Sequence, residues 1–334
     1  MRNQLPAELP PPAQPPAGSE LLGRLRDPRT LISFAILGVL LIAILTHVQL
    51  DYQQTLRAIT QTNLLVYAAA IVIFYFSFVV RAVRWEVLLR NSGEESHFGG
   101  LFHIIILAWF ANCVLPAKMG DFYRAYLLRR RTTISASHGL GTIVSERIID
   151  FVILMTLLII SGLISFRTVP HRYLAAFIVG IAIALALVVG LIGLRFTGGR
   201  VSRLLPARFQ GQVARFKGGL LNAFRQNLPL LVSLTVLVWL AESSRLYLVI
   251  QALPLHVALN PAEIMFIALV ASLLTTIPAL PGGLVLVEGG IIAVLVSFGL
   301  TPSQGLSVAI LDRLISYWSL IVVGVVVFLM TRER

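Results

Sequence analysis

The chain has 334 residues, of which 57% are apolar and 13% charged, with a mean hydropathy of +0.87 and a formal net charge of +12. Soluble globular domains carry about 25% charged residues, so one aqueous core cannot hide this much apolar surface and lipid must solvate much of it. A nucleic-acid partner is not expected, because the basic residues sit in short connections between apolar runs and not together on one exposed face.

Residues 1–29 are Pro-rich (Pro6, Pro10, Pro11, Pro12, Pro15, Pro16) and read as a disordered cytoplasmic tail. Arg24, Arg26 and Arg29 then precede the first apolar run, the pattern of an uncleaved anchor with a cytoplasmic start. From there to 331 the composition fits a single transmembrane domain. Apolar segments lie at about 30–47, 63–83, 139–166, 172–194, 228–250 and 305–330. At about 1.5 Å per helical residue, each can cross a hydrocarbon core of about 30 Å.

Two further apolar regions are broken. The first, about 99–131, is interrupted by VLPAKMGDFYRA (114–125); the second, about 262–299, by TTIPALPGGLVLVEGG (275–290). Proline removes a backbone donor and glycine loosens a helix, so neither region forms one continuous rod. Arginines flank the first on both sides (Arg81, Arg84, Arg90, then Arg129, Arg130, Arg131), and the flanks of the second are nearly free of Lys and Arg. By the positive-inside rule, each region then enters and leaves the membrane on one side, as a re-entrant hairpin or two short spans. The linker 195–227 holds seven basic residues and no acid, so it is expected on anionic headgroups.

The halves resemble each other. SASHGLGTIVSER (135–147) and TPSQGLSVAILDR (301–313) align without gaps, with Ser137/Ser303, Gly139/Gly305, Leu140/Leu306 and Arg147/Arg313 identical. The expected fold is an all-α polytopic membrane protein. It holds an inverted repeat of span, broken re-entrant hairpin and span, at about 63–166 and 228–330. A connecting span at 172–194 lies between the units, giving about six full spans plus two hairpins, with both termini cytoplasmic. Inverted repeats with broken helices mark secondary transporters, whose sites lie where the breaks meet.

Ionisable residues inside apolar spans cost a few kcal/mol each on insertion scales and are functional candidates by default. Glu146, Arg147 and Asp150 form one such group, Asp312 and Arg313 its counterpart, and Glu242 with Arg245 a third acid–base pair that reads equally well as a structural lock. Around the first break, Lys118, Asp121 and Arg124 lie where a helix restarts near Gly120; free N–H groups and a positive dipole end there suit a phosphate. Glu288 is the charged residue of the second break. Cys113 is the lone cysteine and the six histidines show no ligand spacing, so neither a metal nor another cofactor is expected. No G-x-S-x-G, P-loop or HExxH occurs, and the chain does not read as an enzyme.

The run VLPAKMGDFYRAYLLRRR, then SERIIDF, and later PALPGG…VEGG followed by LDR, resembles the flippase-like membrane region of bacterial lysylphosphatidylglycerol synthases and their stand-alone relatives. The resemblance spans about residues 30–330. It implies a lipid-translocating or lipid-handling membrane domain, and the function expected is a flippase-like transporter of a bacterial inner membrane that moves or binds an anionic or phosphate-linked lipid headgroup. Synthases of this kind carry a soluble aminoacyl-transferase domain after the membrane region; the sequence ends at Arg334, so synthase activity is expected to be absent. The alternative is a non-transporting accessory protein that binds a partner enzyme of lipid or glycan assembly.

Overall fold

The computed structural model describes residues 51–115, 118–166, 171–196, 206–255, 257–276 and 281–332. The expected tail, the first apolar run at 30–47, Pro116 and Pro278 lie outside them. The described elements are helical. A short helix, α1 (Tyr52–Thr60), leads into α2 (Leu64–Asn91), followed by α3 (Phe98–Val114), α4 (Met119–Arg131) and α5 (Ala136–Ser165). Next come α6 (His171–Phe196) and α7 (Ala207–Asn222). The second half holds α8 (Leu228–Ala252), α9 (Pro261–Thr275), a 3-10 turn at Pro281–Gly283 and α10 (Leu286–Ser297). Last, α11 (Pro302–Arg313) runs through a π-helical turn, Leu314–Ser319, into α12 (Leu320–Arg332). Among the described residues, five stretches are long and apolar enough to cross a membrane: α2, α5, Ile178–Phe196 of α6, α8, and Pro302–Thr331.

Local chemistry sets the starts of these helices. Asn63 opens α2 by accepting from the N–H groups of Leu65 and Val66. Ser135 opens α5 by accepting from His138, and Thr301 opens α11 by accepting from Gln304, so the aligned segments begin with the same cap. At Thr301 and at Asn260 the third helical residue returns a bond to the cap, closing a capping box.

The centre of the molecule is the contact between α2 and α8, which run antiparallel. The Asn63 N–H donates to the Ala252 carbonyl at one end (2.8 Å). At the other end Asn91 Nδ2 donates to the carbonyls of Ala223 (2.9 Å) and Gln226 (2.6 Å). The remaining packing is reciprocal between the halves. α9 packs on α5 and α12 on α3; α7 packs on α5 and α1 on α11. Apolar side chains such as Phe78, Trp85, Ile105, Phe266 and Leu295 fill the interior, whereas α6 is peripheral, with Ile178, Leu185 and Val189 exposed.

Three features depart from the sequence reading. Helix α2 extends to Asn91, so Arg81 and Arg84 are not cytoplasmic flank residues; they are buried at 3% and 0% exposure. The apolar run ends near Val80, but the helix continues because Arg84 and Arg81 find carboxylates inside the protein. The basic linker also holds a helix that its sequence did not announce. Its second half forms α7, which lies so close to α5 that a Cβ on Gly141 or Gly219 would strike the facing backbone, and Ser145 Oγ donates to the Leu220 carbonyl (2.8 Å). Finally, α1 is a helix no apolar run announced; it is held by the Asp51 cap and by Thr55 Oγ1 donating to the Ser303 carbonyl (3.3 Å).

Candidate functional site: a charged cavity between two helix breaks

Both broken regions restart in the same way. Lys118 precedes α4 with φ +53°, and Val285 precedes α10 with φ +67°, left-handed values that side-chain-bearing residues adopt at a cost. The third residue of each new helix is an acid, Asp121 in α4 and Glu288 in α10. Each receives the arginine that occupies the same place in the aligned segments. Arg147 Nε and Nη2 donate to the two oxygens of Asp121 (3.1 and 3.0 Å). Arg313 Nε donates to Glu288 Oε1 (2.8 Å), and its Nη2 donates to the Gly282 carbonyl (2.8 Å).

The breaks themselves are tightly built. The Gly120 N–H donates to Asn112 Oδ1 (2.8 Å), joining the two helices of the first hairpin, and no side chain fits at Gly120 because a Cβ would meet the Ala108 carbonyl. Gly282 has φ +57°, and a Cβ there would enter the Tyr317 ring. That ring lies beneath the Arg313 guanidinium at 4.8 Å, and its hydroxyl donates to the Cys113 carbonyl (3.0 Å) at the end of α3. The second break therefore touches the first.

Between them stands a wall formed by α2 and α8. Glu242 accepts from Arg81 Nη2 at one oxygen (3.0 Å) and from Arg245 Nε and Nη2 at the other (3.3 and 3.2 Å). Arg245 also pairs with Asp312, and Arg81 stacks over Trp109 at 4.7 Å. These groups line a half-open cavity of about 450 Å³, also lined by Phe74, Phe151, Trp239 and, from α6, Leu187.

Of the nine residues singled out in the sequence, six line this cavity: Lys118, Asp121, Arg147, Asp150, Asp312 and Arg313. Arg124, Glu146 and Glu288 do not. Arg124 donates twice to Glu146 (3.0 and 2.8 Å) and lies 3.7 Å over the Trp85 ring, behind the wall. Arg84 completes that buried group by reaching Glu146 (3.2 Å), Asp150 (Nη2···Oδ2 3.1 Å) and Thr235 Oγ1 (2.9 Å). Periodicity places 146 and 150 on one face of α5; in the fold they share Arg84 while 147 turns to the cavity. Arg81, Trp109, Trp239, Glu242 and Arg245 complete the wall. Glu242 and Arg245 are the third acid–base pair of the sequence reading; for Arg81 the available signal was a charge embedded near the end of a span, and for the tryptophans there was none. No group of three or more potential metal ligands occurs among the described residues.

The two arginines at equivalent positions differ in exposure. The Arg147 side chain is 33% accessible and that of Arg313 7%. Arg147 keeps Nη1 free of a close hydrogen bond, 3.5 Å from Asp150. Lys118, on the same side of the cavity, is in no ion pair among the described residues. The first break thus carries accessible positive charge, whereas the arginine of the second is buried against Glu288 and the Gly282 carbonyl.

A model of the lysylphosphatidylglycerol synthase TM region matches residues 30–324, nearly the whole described molecule. The chain belongs to that family. Among its relatives is a UPF0104 membrane protein of Methanocaldococcus jannaschii, 34% identical over 66% of this chain and 93% of that protein. Another, from Methanothermobacter thermautotrophicus, is 27% identical over 77% of this chain and 82% of its own length. A Haloferax volcanii protein named glycosyltransferase AglD is 25% identical over 89% of this chain, which corresponds to 53% of that protein. The two UPF0104 relatives are membrane proteins matched over most of their length, and the present chain, with five apolar spanning stretches among its described residues, is a multi-pass membrane protein.

Proposed function

We propose that the chain is a flippase-like transporter that binds an anionic, phosphate-linked lipid headgroup in the cavity between its two helix breaks. The observation that carries this reading is the pair Lys118 and Arg147 beside a helix restart, in a cavity whose other charged groups are paired with one another and whose lining also holds Phe74, Trp109, Phe151 and Trp239. A headgroup phosphate meets the cationic donors of Lys118 and Arg147 there, while its chains can remain against apolar surface. The two halves are read as inverted repeats and the broken regions as re-entrant hairpins. Support comes from the antiparallel α2–α8 contact, the reciprocal packing, and the equivalent arginine–acid pairs on either side of the cavity.

Both termini are placed on the cytoplasmic side of a plasma membrane. The relatives compared are archaeal, and the chain is not assigned to bacteria on their account. A catalytic role is not proposed, because each carboxylate on the cavity wall is held by an arginine, which supports charge balancing over acid–base work. The test has two parts. Mass spectrometry of lipids that copurify with the protein is expected to return anionic phospholipids or phosphate-linked lipids. In proteoliposomes with fluorescent phosphatidylglycerol, external dithionite is expected to bleach more than the outer-leaflet half. Bleaching that stops at half, as in protein-free vesicles, overturns transport.

A further inference from the structure

The lipid for which the family is named carries a lysine ester, whose ammonium groups need carboxylates. We infer that this cavity selects the opposite: a phosphate headgroup without an amine, so that lysylated and other ammonium-bearing lipids are rejected. This rests on the cavity being a headgroup site.

Every carboxylate lining the cavity is already occupied. Asp121 gives both oxygens to Arg147. Asp150 gives both to Arg84 and lies 3.5 Å from Arg147. Glu242 gives one to Arg81 and the other to Arg245, and Asp312 is paired with Arg245. Glu288, whose Oε2 is a buried acceptor without a partner, stands beyond the lining behind Arg313.

The unspent capacity is donor capacity. Among the described residues Lys118 pairs with no carboxylate, Arg147 presents a third of its side-chain surface, and two buried groups of the wall, Arg81 Nε and the Trp239 indole N–H, have no acceptor. Five cationic side chains line the cavity (Arg81, Lys118, Arg147, Arg245, Arg313) against four acidic ones (Asp121, Asp150, Glu242, Asp312). An ammonium entering here would have to share a carboxylate with an arginine already bonded to it, so that two like charges meet at one acceptor. A phosphate needs no such sharing, because it meets Lys118 and Arg147 directly. Selection against the amine is thus built in as like-charge repulsion as well as a missing acceptor.

The experiment is a binding titration on the purified full chain with three probes: dioctanoyl-phosphatidylglycerol, its lysyl ester, and inorganic phosphate. Phosphatidylglycerol is expected to bind at least about tenfold more tightly than the lysyl ester, and inorganic phosphate far more weakly than either. Lys118→Glu, which supplies an unpaired carboxylate at the cavity, is expected to reverse the order. Equal or tighter binding of the lysyl ester by the unmodified chain overturns the selectivity while leaving the lipid site standing. Failure of both lipids to bind overturns the headgroup site itself. Inorganic phosphate binding as well as phosphatidylglycerol overturns the lipid as ligand but upholds selection for the anion.

Discussion

Asp121 and Glu288 stand at the same step of two different helices, each the third residue after a restart from a left-handed turn, and each holds the arginine of its own half. The pairs are equivalent in position but not in state, since Arg147 is 33% exposed and Arg313 7%.

That difference sets the first prediction. Arg147→Lys keeps the charge but loses the planar two-pronged donor that spans both oxygens of Asp121. Lipid binding is expected to fall by about tenfold, a change of about 1.4 kcal/mol, with folded yield near normal. Arg313→Lys removes a donor to the Gly282 carbonyl, so its main effect is expected on thermal stability. Unchanged binding in a folded Arg147→Lys protein removes Arg147 from the site.

The second concerns the group behind the wall. Glu146→Ala leaves Arg84 and Arg124 short of their shared partner at 0% and 1% exposure. Stripping one partner from a buried pair costs about 3–5 kcal/mol, so monodisperse protein is expected to be lost or strongly reduced on size-exclusion chromatography. Normal recovery and melting of Glu146→Ala would show that this group does not hold the fold.

Sidedness gives the third. Asn91 bonds to the carbonyls of Ala223 and Gln226, so the loop after α2 and the turn before α8 must lie on one side of the membrane. In a Cys113→Ser background, Glu95→Cys and Gln226→Cys are expected to react only from the cytoplasm, and Ala258→Cys only from outside. Labelling of Glu95→Cys and Gln226→Cys from different sides contradicts the fold; both from outside reverses the orientation alone.

The fourth tests the α5–α7 contact. Gly141→Ala places a methyl against the Phe216 carbonyl, so α7 must lift from α5. A lower melting temperature and faster protease cleavage within 195–227 are expected; an unchanged cleavage rate argues that α7 is not seated there.

The spans from α2 onward and both helix breaks were legible because lipid imposes them: long apolar runs, and Pro–Gly interruptions at 114–125 and 275–290. Arg147 and Arg313 were legible from an ungapped internal alignment. What the sequence could not give was which acid each arginine meets. Glu146, next to Arg147 in the chain, faces Arg124 and Arg84, while Arg147 reaches back 26 residues to Asp121. Nor did composition reveal α7, whose basic residues match a surface linker and whose docking depends on Gly141 and Gly219 being small. The burial of Arg81 depended on a partner, Glu242, 161 residues away, a relationship no local window contains.

That last pairing has a consequence for how the protein is made. Arg84 and Arg124 are matched within the first half, and Arg245 within the second, but the ion-pair partner of Arg81 among the described residues is Glu242 on α8. During synthesis, the first half therefore leaves the ribosome with an uncompensated arginine in a spanning helix. It stays unmatched until about 160 further residues have been translated and inserted. The halves mature together, and a transcript truncated before α8 yields a substrate for membrane quality control.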